Sequence, residues 1–188
     1  VGGTSAPLSF GALMSLLPGP ASRVLSASDA APVELTPGLL QAFVAEAVAR
    51  FAAAGVPSER LRSAQTARWQ ISDLPDNYLG LVSTDTIVVD RNAAGWGWYI
   101  DATPWENSEF AFDEFERKMR ASSASSIDRM DLLTIVMHEV GHVLGLQHNP
   151  DQSNSADIMQ AVMETGVRRL LTESILDDLF SDSQDLTA

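Results

Sequence analysis

Apolar residues recur at helical spacing from Leu39 to Phe51, at Leu39, Leu40, Phe43, Val44, Ala47, Val48 and Phe51. They give one apolar face, which predicts an amphipathic helix. Thr36 and Pro37 suit its N-cap and first position, and Gly55 with Pro57 beyond it suits its end. From residue 66 to 101 the period shortens to two. TARWQISDL alternates up to a Pro75-Asp76-Asn77 turn, YLGLVST and DTIVVD flank Thr84-Asp85, and GWGWYID follows the turn from Asn92 to Gly95. These segments predict strands. In the last of them Trp96, Trp98 and Ile100 share one face. They are either core packing or the edge along which an extended peptide pairs through its main chain.

The stretch PWENSEFAFDEFERKMR, residues 104–120, predicts a loop leading into a charged helix with Phe112, Phe115 and Met119 inward. ASSASS is a short spacer that offers N-caps. A helix follows that starts between Ser126 and Asp131. Leu132, Leu133, Ile135, Val136, Met137, Val140, Val143, Leu144 and Leu146 make it apolar nearly all round, so it is expected to be buried. After a polar loop, NPDQSNSAD, a terminal helix capped by Thr172 brings Ile175, Leu176, Leu179 and Phe180 to one face. Residues 1–32 are rich in Gly, Ala, Ser and Pro, with one apolar patch from Leu8 to Leu17. They read as an N-terminal extension or linker, or as a pro-segment. Residues 33–188 form the domain proper, of class α+β.

Composition narrows the function. The 188 residues are 45% apolar with a net charge of −13, and the pI is near 4.4. An acidic chain of this kind is a poor partner for nucleic acid, whose phosphates need clustered Lys and Arg. There is no cysteine, so no disulfide framework is possible. No run approaches the 18 or so apolar residues of a membrane span. Beginning at Val1, the chain reads as a segment of a longer product, with any secretion signal outside it.

All three histidines fall in one stretch, DLLTIVMHEVGHVLGLQH. His138 and His142 are four residues apart on a helix, so both imidazoles leave one face a turn apart. Gly145 can stop the helix in a left-handed conformation, and the chain can then bring His148 to the same point. Three neutral imidazoles suit a catalytic zinc whose fourth position stays open for water. Glu139, next to the first ligand, is placed to take a proton from that water.

The spacing His-Glu-x-x-His-x-x-Gly-x-x-His resembles the metzincin zinc endopeptidases, with an overall plan similar to bacterial matrixin-like domains. The resemblance implies a twisted mixed sheet, an active-site helix and a smaller C-terminal subdomain across a cleft. It also implies peptide-bond hydrolysis at zinc held by His138, His142 and His148, with Glu139 as the general base. Met159 matches the methionine of the Met-turn, with Met163 as runner-up, and Ala161 to Gly166 would line an apolar pocket for the residue after the cleaved bond. Metzincin relatives bind substrate along an edge strand, which favours that role for the Trp96–Ile100 stretch. Some block the zinc with an aspartate, for which Asp29 is the candidate. Matrixin-like domains also carry structural calcium, for which Asp85, Asp90 and Asp101 stand near turns, although turn-forming aspartates are common without it. Asn149, after the third histidine, departs from the Ser or Thr of matrixins, and Ala161 stands where some relatives have a zinc-touching tyrosine.

The resemblance therefore implies a protein or peptide substrate and a secreted or cell-surface place within a larger bacterial protein. A latent or non-catalytic zinc-binding module of such a protein is the alternative.

Overall fold

The computed structural model describes residues 12–16, 33–83, 86–115, 118–150 and 156–181. Asp29 and Asp85 lie outside the described residues. In chain order the elements are β1 (Ala12–Leu16), α1 (Pro37–Ala53), α2 (Ser58–Thr66), β2 (Arg68–Ser72), β3 (Tyr78–Ser83), β4 (Thr86–Asp90), β5 (Trp98–Tyr99) and β6 (Phe110–Asp113). Then come β7 (Lys118–Ala121), β8 (Met130–Asp131), α3 (Leu132–Val143), β9 (Val162–Met163), β10 (Val167–Arg168) and α4 (Glu173–Ser181). The fold is mixed α+β.

Five strands form the main sheet in the order β2-β4-β3-β1-β9. β2 runs parallel to β4, β3 antiparallel to β4, β1 antiparallel to β3, and β1 parallel to β9. Part of the N-terminal segment is thus a strand of the sheet.

Helix α1 begins as its sequence dictates. Pro37 opens it and the Thr36 hydroxyl accepts from the Leu39 amide at 3.3 Å. Its buried stripe is Leu40, Phe43, Val44, Ala47, Val48 and Phe51, which shares one core with the apolar side of α3. Helix α2 was not expected from the pattern. Only Leu61 and Ala64 of its nine residues are buried, too few to set a period. Arg60 anchors it by donating to the carbonyls of Leu144, at 3.1 Å, and Leu179, which lie at the C-terminal ends of α3 and α4.

Two expectations are corrected. The described residues of 104–120 form no helix; β6 and β7 pair antiparallel as a hairpin. Phe112 is 57% and Phe115 95% exposed, while Phe110 is buried. The segment FAFD carries the period-two pattern of a strand, and the Asp113 carboxylate accepts from the Phe115 amide at 2.9 Å to start the turn. The tryptophan stretch is likewise not the sheet edge. Only Trp98–Tyr99 is extended, and it pairs with β8 outside the main sheet. Trp98 is core, with its indole N–H donating to the Asp90 carbonyl at 2.8 Å.

In the terminal helix Ile175 and Leu179 are buried, but Phe180 is 39% exposed. None of the described helices is long and apolar enough to cross a membrane.

Candidate metal centre

Helix α3 is placed by its first residues. Asp131, its N-cap, accepts from the Thr134 amide at 3.2 Å and the Thr134 hydroxyl at 2.7 Å. The same carboxylate takes two bonds from Arg168 of β10, from Nε at 3.0 Å and Nη2 at 2.8 Å. Asp101 lies 2.8 Å from Nη2 as a second anion, and the guanidinium stacks 4.2 Å over the Phe110 ring. Both carboxylates and Arg168 are almost wholly buried, so each charge depends on the others for compensation. At the other end, Gly145 has φ +99° and turns the chain back, as its place in the sequence predicts.

That turn brings the three histidines together. The Nε2 atoms are 3.0 Å apart for His138 and His142, 3.1 Å for His142 and His148, and 3.2 Å for His138 and His148. Two of the rings are fixed from behind. Nδ1 of His138 donates to the Ile158 carbonyl at 2.7 Å, and Nδ1 of His142 to the Leu146 carbonyl at 2.8 Å. A ring that donates from Nδ1 presents a lone pair at Nε2, the arrangement of a metal-binding histidine. Burial holds all three imidazoles below their usual pKa, His142 at about 4. They are neutral near pH 7 and free to ligate.

These donors fit zinc. Nitrogens at a Zn–N distance of 2.0–2.1 Å in a tetrahedral shell stand about 3.3 Å apart, close to the spacing of these three. They are the only such cluster of His, Asp and Glu among the described residues.

Glu139 is fully buried, and neither carboxylate oxygen has a hydrogen-bond partner among the described residues. Burial pushes its pKa well above the usual carboxylate range. Above it lies Gly80 of β3, where a Cβ would stand 2.1 Å from Oε1. Sequence reasoning missed Gly80; only its place in a strand next to the helix reveals it.

Met159 is buried beneath the helix, its sulfur against Gly141, where a Cβ would come within 2.6 Å. Its amide donates to Asp157 Oδ1 at 2.7 Å and its carbonyl accepts from the Asn149 amide at 3.0 Å. The Asn149 side chain in turn donates to Asp157 Oδ2 at 2.6 Å. Asn149 thus ties the end of the histidine loop to the turn that holds Met159. Arg169 was also missed. It is buried, and it donates to the carbonyls of Gln160, at 3.4 Å, and Val162, at 2.7 Å, which fixes the segment after Met159.

The calcium expectation gains no support. Asp90 spends its carboxylate on the amides of Leu74, Asn92 and Ala94 at 2.8–3.0 Å. Those bonds hold a turn in which Ala93 and Ala94 have φ of 56° and 52°. Asp101 is committed to Arg168 and to the Thr103 amide.

Compared with known proteins, residues 83–177 match the family model Peptidase_M10, Matrixin. No curated protein and no solved structure matches the chain. The matched span opens at the last residue of β3 and closes inside α4, so it takes in the three histidines, Glu139 and Met159. It covers just over half of the 188 residues, and on that ground the chain belongs to the matrixin family.

Proposed function

We propose that the chain is a zinc-dependent endopeptidase that uses Glu139 as its general base. The observation that carries this reading is the pairing of a three-nitrogen cluster with a buried carboxylate that has no hydrogen-bond partner among the described residues. A buried acid without a partner costs stability, and structural zinc has no use for it. Structural sites also take four protein ligands, whereas three converge here.

In this reading His138, His142 and His148 hold the ion. Zinc bound there would polarise a carbonyl and lower the pKa of its water to about 7. Glu139 accepts the water proton and passes it to the leaving amine. A cation held by the three histidines would favour the ionised form of the neighbouring carboxyl, the form that can take that proton. Met159 shapes the floor beneath the imidazoles without bonding the ion. Residues 161–166 line the pocket for the side chain after the cleaved bond, with Val162 and Met163 making it apolar. Such an activity suits a secreted or surface protein.

The test is cleavage of an unfolded protein by the purified chain, with and without a zinc chelator, beside Glu139→Gln. Chelator-sensitive cleavage that is lost in the variant supports the assignment. A fully active Glu139→Gln would sink it.

A further inference from the structure

β1 occupies a singular position. It joins β9 to the rest of the main sheet, pairing antiparallel with β3 on one side and parallel with β9 on the other. Both neighbours belong to the candidate site. β3 carries Gly80, which lies on the Glu139 carboxylate. β9 begins three residues after Met159, and its Val162 carbonyl is held by Arg169.

The register fixes where β1 crosses. Ala12, Leu13 and Met14 stand opposite Val82, Leu81 and Gly80, and Ser15 and Leu16 stand beside Val162 and Met163. The pairing with β3 shifts between Met14 and Ser15, the point at which β1 takes up β9. Neighbouring strands are about 4.8 Å apart. The Met14–Ser15 peptide is therefore about one strand spacing from the glycine that covers Glu139. A segment held through its main chain on both sides, with one peptide bond beside the catalytic carboxylate, is held as a substrate would be.

We propose that Ala12–Leu16 is a resident occupant of the peptide-binding channel, seated as a substrate mimic with Met14–Ser15 at the catalytic position, so that the chain competes with its own substrates. The inference rests on the peptidase reading for what the channel is for. The attachment has ample reach: the 16 residues between Leu16 and Val33 allow a span of up to about 60 Å. A tethered strand acts at an effective concentration in the millimolar range, enough to exclude a free peptide of similar affinity. The occupant is apolar and uncharged, ALMSL, so the competing substrate class is an extended, apolar peptide.

The test uses the full zinc-loaded chain carrying Glu139→Gln, so that turnover plays no part. The chain has no cysteine, and Ala12 stands directly opposite Val82. Opposed residues of an antiparallel pair are about 4.5–5.5 Å apart at Cα, within the reach of a disulfide. In Ala12→Cys/Val82→Cys, oxidation is expected to close a bond within one chain. A labelled peptide of residues 10–18 should then bind at least tenfold more weakly than to the reduced form. In a separate Leu13→Pro/Met14→Pro variant, whichever of the two amides faces β3 is removed. That peptide should bind at least tenfold more tightly than to the parent, and amide exchange in Leu79–Val82 should quicken.

A disulfide that forms only between two chains, or peptide affinity equal in every form, overturns the proposal. Restoring Glu139 in the proline variant asks the separate question. Turnover of unfolded protein above that of the parent supports both readings. If the strand is shown to occupy the channel but turnover stays absent, the peptidase reading fails and the occupancy stands.

Discussion

Gly80 of β3 leaves the space that the Glu139 carboxylate fills: a Cβ there would stand 2.1 Å from Oε1, 2.7 Å from Cδ and 3.1 Å from Cγ. The obstructed atoms are the movable end of a side chain, so Gly80→Ala is expected to displace the carboxylate rather than unfold the sheet. A catalytic group misplaced by about 1 Å costs on the order of 100-fold in rate. Gly80→Ala should keep stoichiometric zinc and lose turnover to that extent. Zinc content, thermal unfolding and cleavage rate measured on one preparation decide it; a variant that cleaves at the parent rate would show that Glu139 needs no such cover.

Asp131 links the start of helix α3 to β10 through Arg168. Removing one partner of a buried ion pair leaves the other charge uncompensated, at a cost of about 3–5 kcal/mol. Asp131→Ala also removes the N-cap, worth about 1 kcal/mol. It should therefore be among the most destabilising single substitutions in the domain. Asp101 remains beside Arg168, so the loss should fall toward the lower end of that range. Urea unfolding of Asp131→Ala, Arg168→Met and the double variant measures the coupling, which should exceed about 1 kcal/mol.

The elements legible in the sequence were those whose signals are local. Thr36-Pro37 and Gly55 bracket α1, and the His-Glu-x-x-His spacing with Gly145 accounts for the convergence of the three histidines. What could not be read depends on partners far along the chain. FAFDEFERKMR carries apolar residues at spacings that suit a helix as well as a strand, and pairing of β6 with β7 decided between them. Helix α2 has too few apolar residues to announce itself, and is fixed by Arg60 reaching two other helices. Gly80 and Arg169 take their roles from contacts across the sheet and the C-terminal turns. The N-terminal strand was legible only as an apolar patch, because its meaning lies in the two strands that flank it.

The hairpin offers a direct check on that correction. Phe115 is 95% exposed at the turn, so Phe115→Ser should change stability by no more than about 0.5 kcal/mol, as for surface positions in general. Phe110, which is buried beneath Arg168, should cost about 3–5 kcal/mol on change to alanine. Had the segment been a helix with Phe115 inward, Phe115→Ser would have been a core substitution. Denaturation midpoints of the two variants separate the arrangements.

Metal should stabilise the folded chain strongly, because the three nitrogens converge only after Gly145 turns the chain back. Ligand at 100 times its Kd contributes about 2.7 kcal/mol, which for a chain of this size corresponds to roughly 5–10 °C in Tm. A chelator should lower Tm by that amount, and added zinc should restore it. His148→Ala, which leaves only the two helical ligands, should abolish most of the response to zinc. An unchanged response would mean that the loop histidine is not a ligand.

The buried carboxyl of Glu139 makes its own contribution to the pH dependence of the metal-free chain. Its folded pKa is raised well above 4.5 by burial, so the folded state keeps a proton that the unfolded state has released. Stability from this group is complete below pH 4.5. It falls as pH rises from there toward the raised value, because the unfolded state then binds fewer protons than the folded one. The slope cannot exceed about 1.4 kcal/mol per pH unit. His142 works in the opposite sense between about 4 and 6.5, where the unfolded chain binds the proton that the folded chain refuses. Glu139→Gln removes the first effect and leaves the second. The metal-free variant should therefore gain stability relative to the parent steadily as pH rises above 4.5. Urea midpoints of both chains across pH 4 to 8 in the presence of chelator measure that gain. A difference that stays flat with pH would mean that the carboxyl is solvated in the metal-free protein.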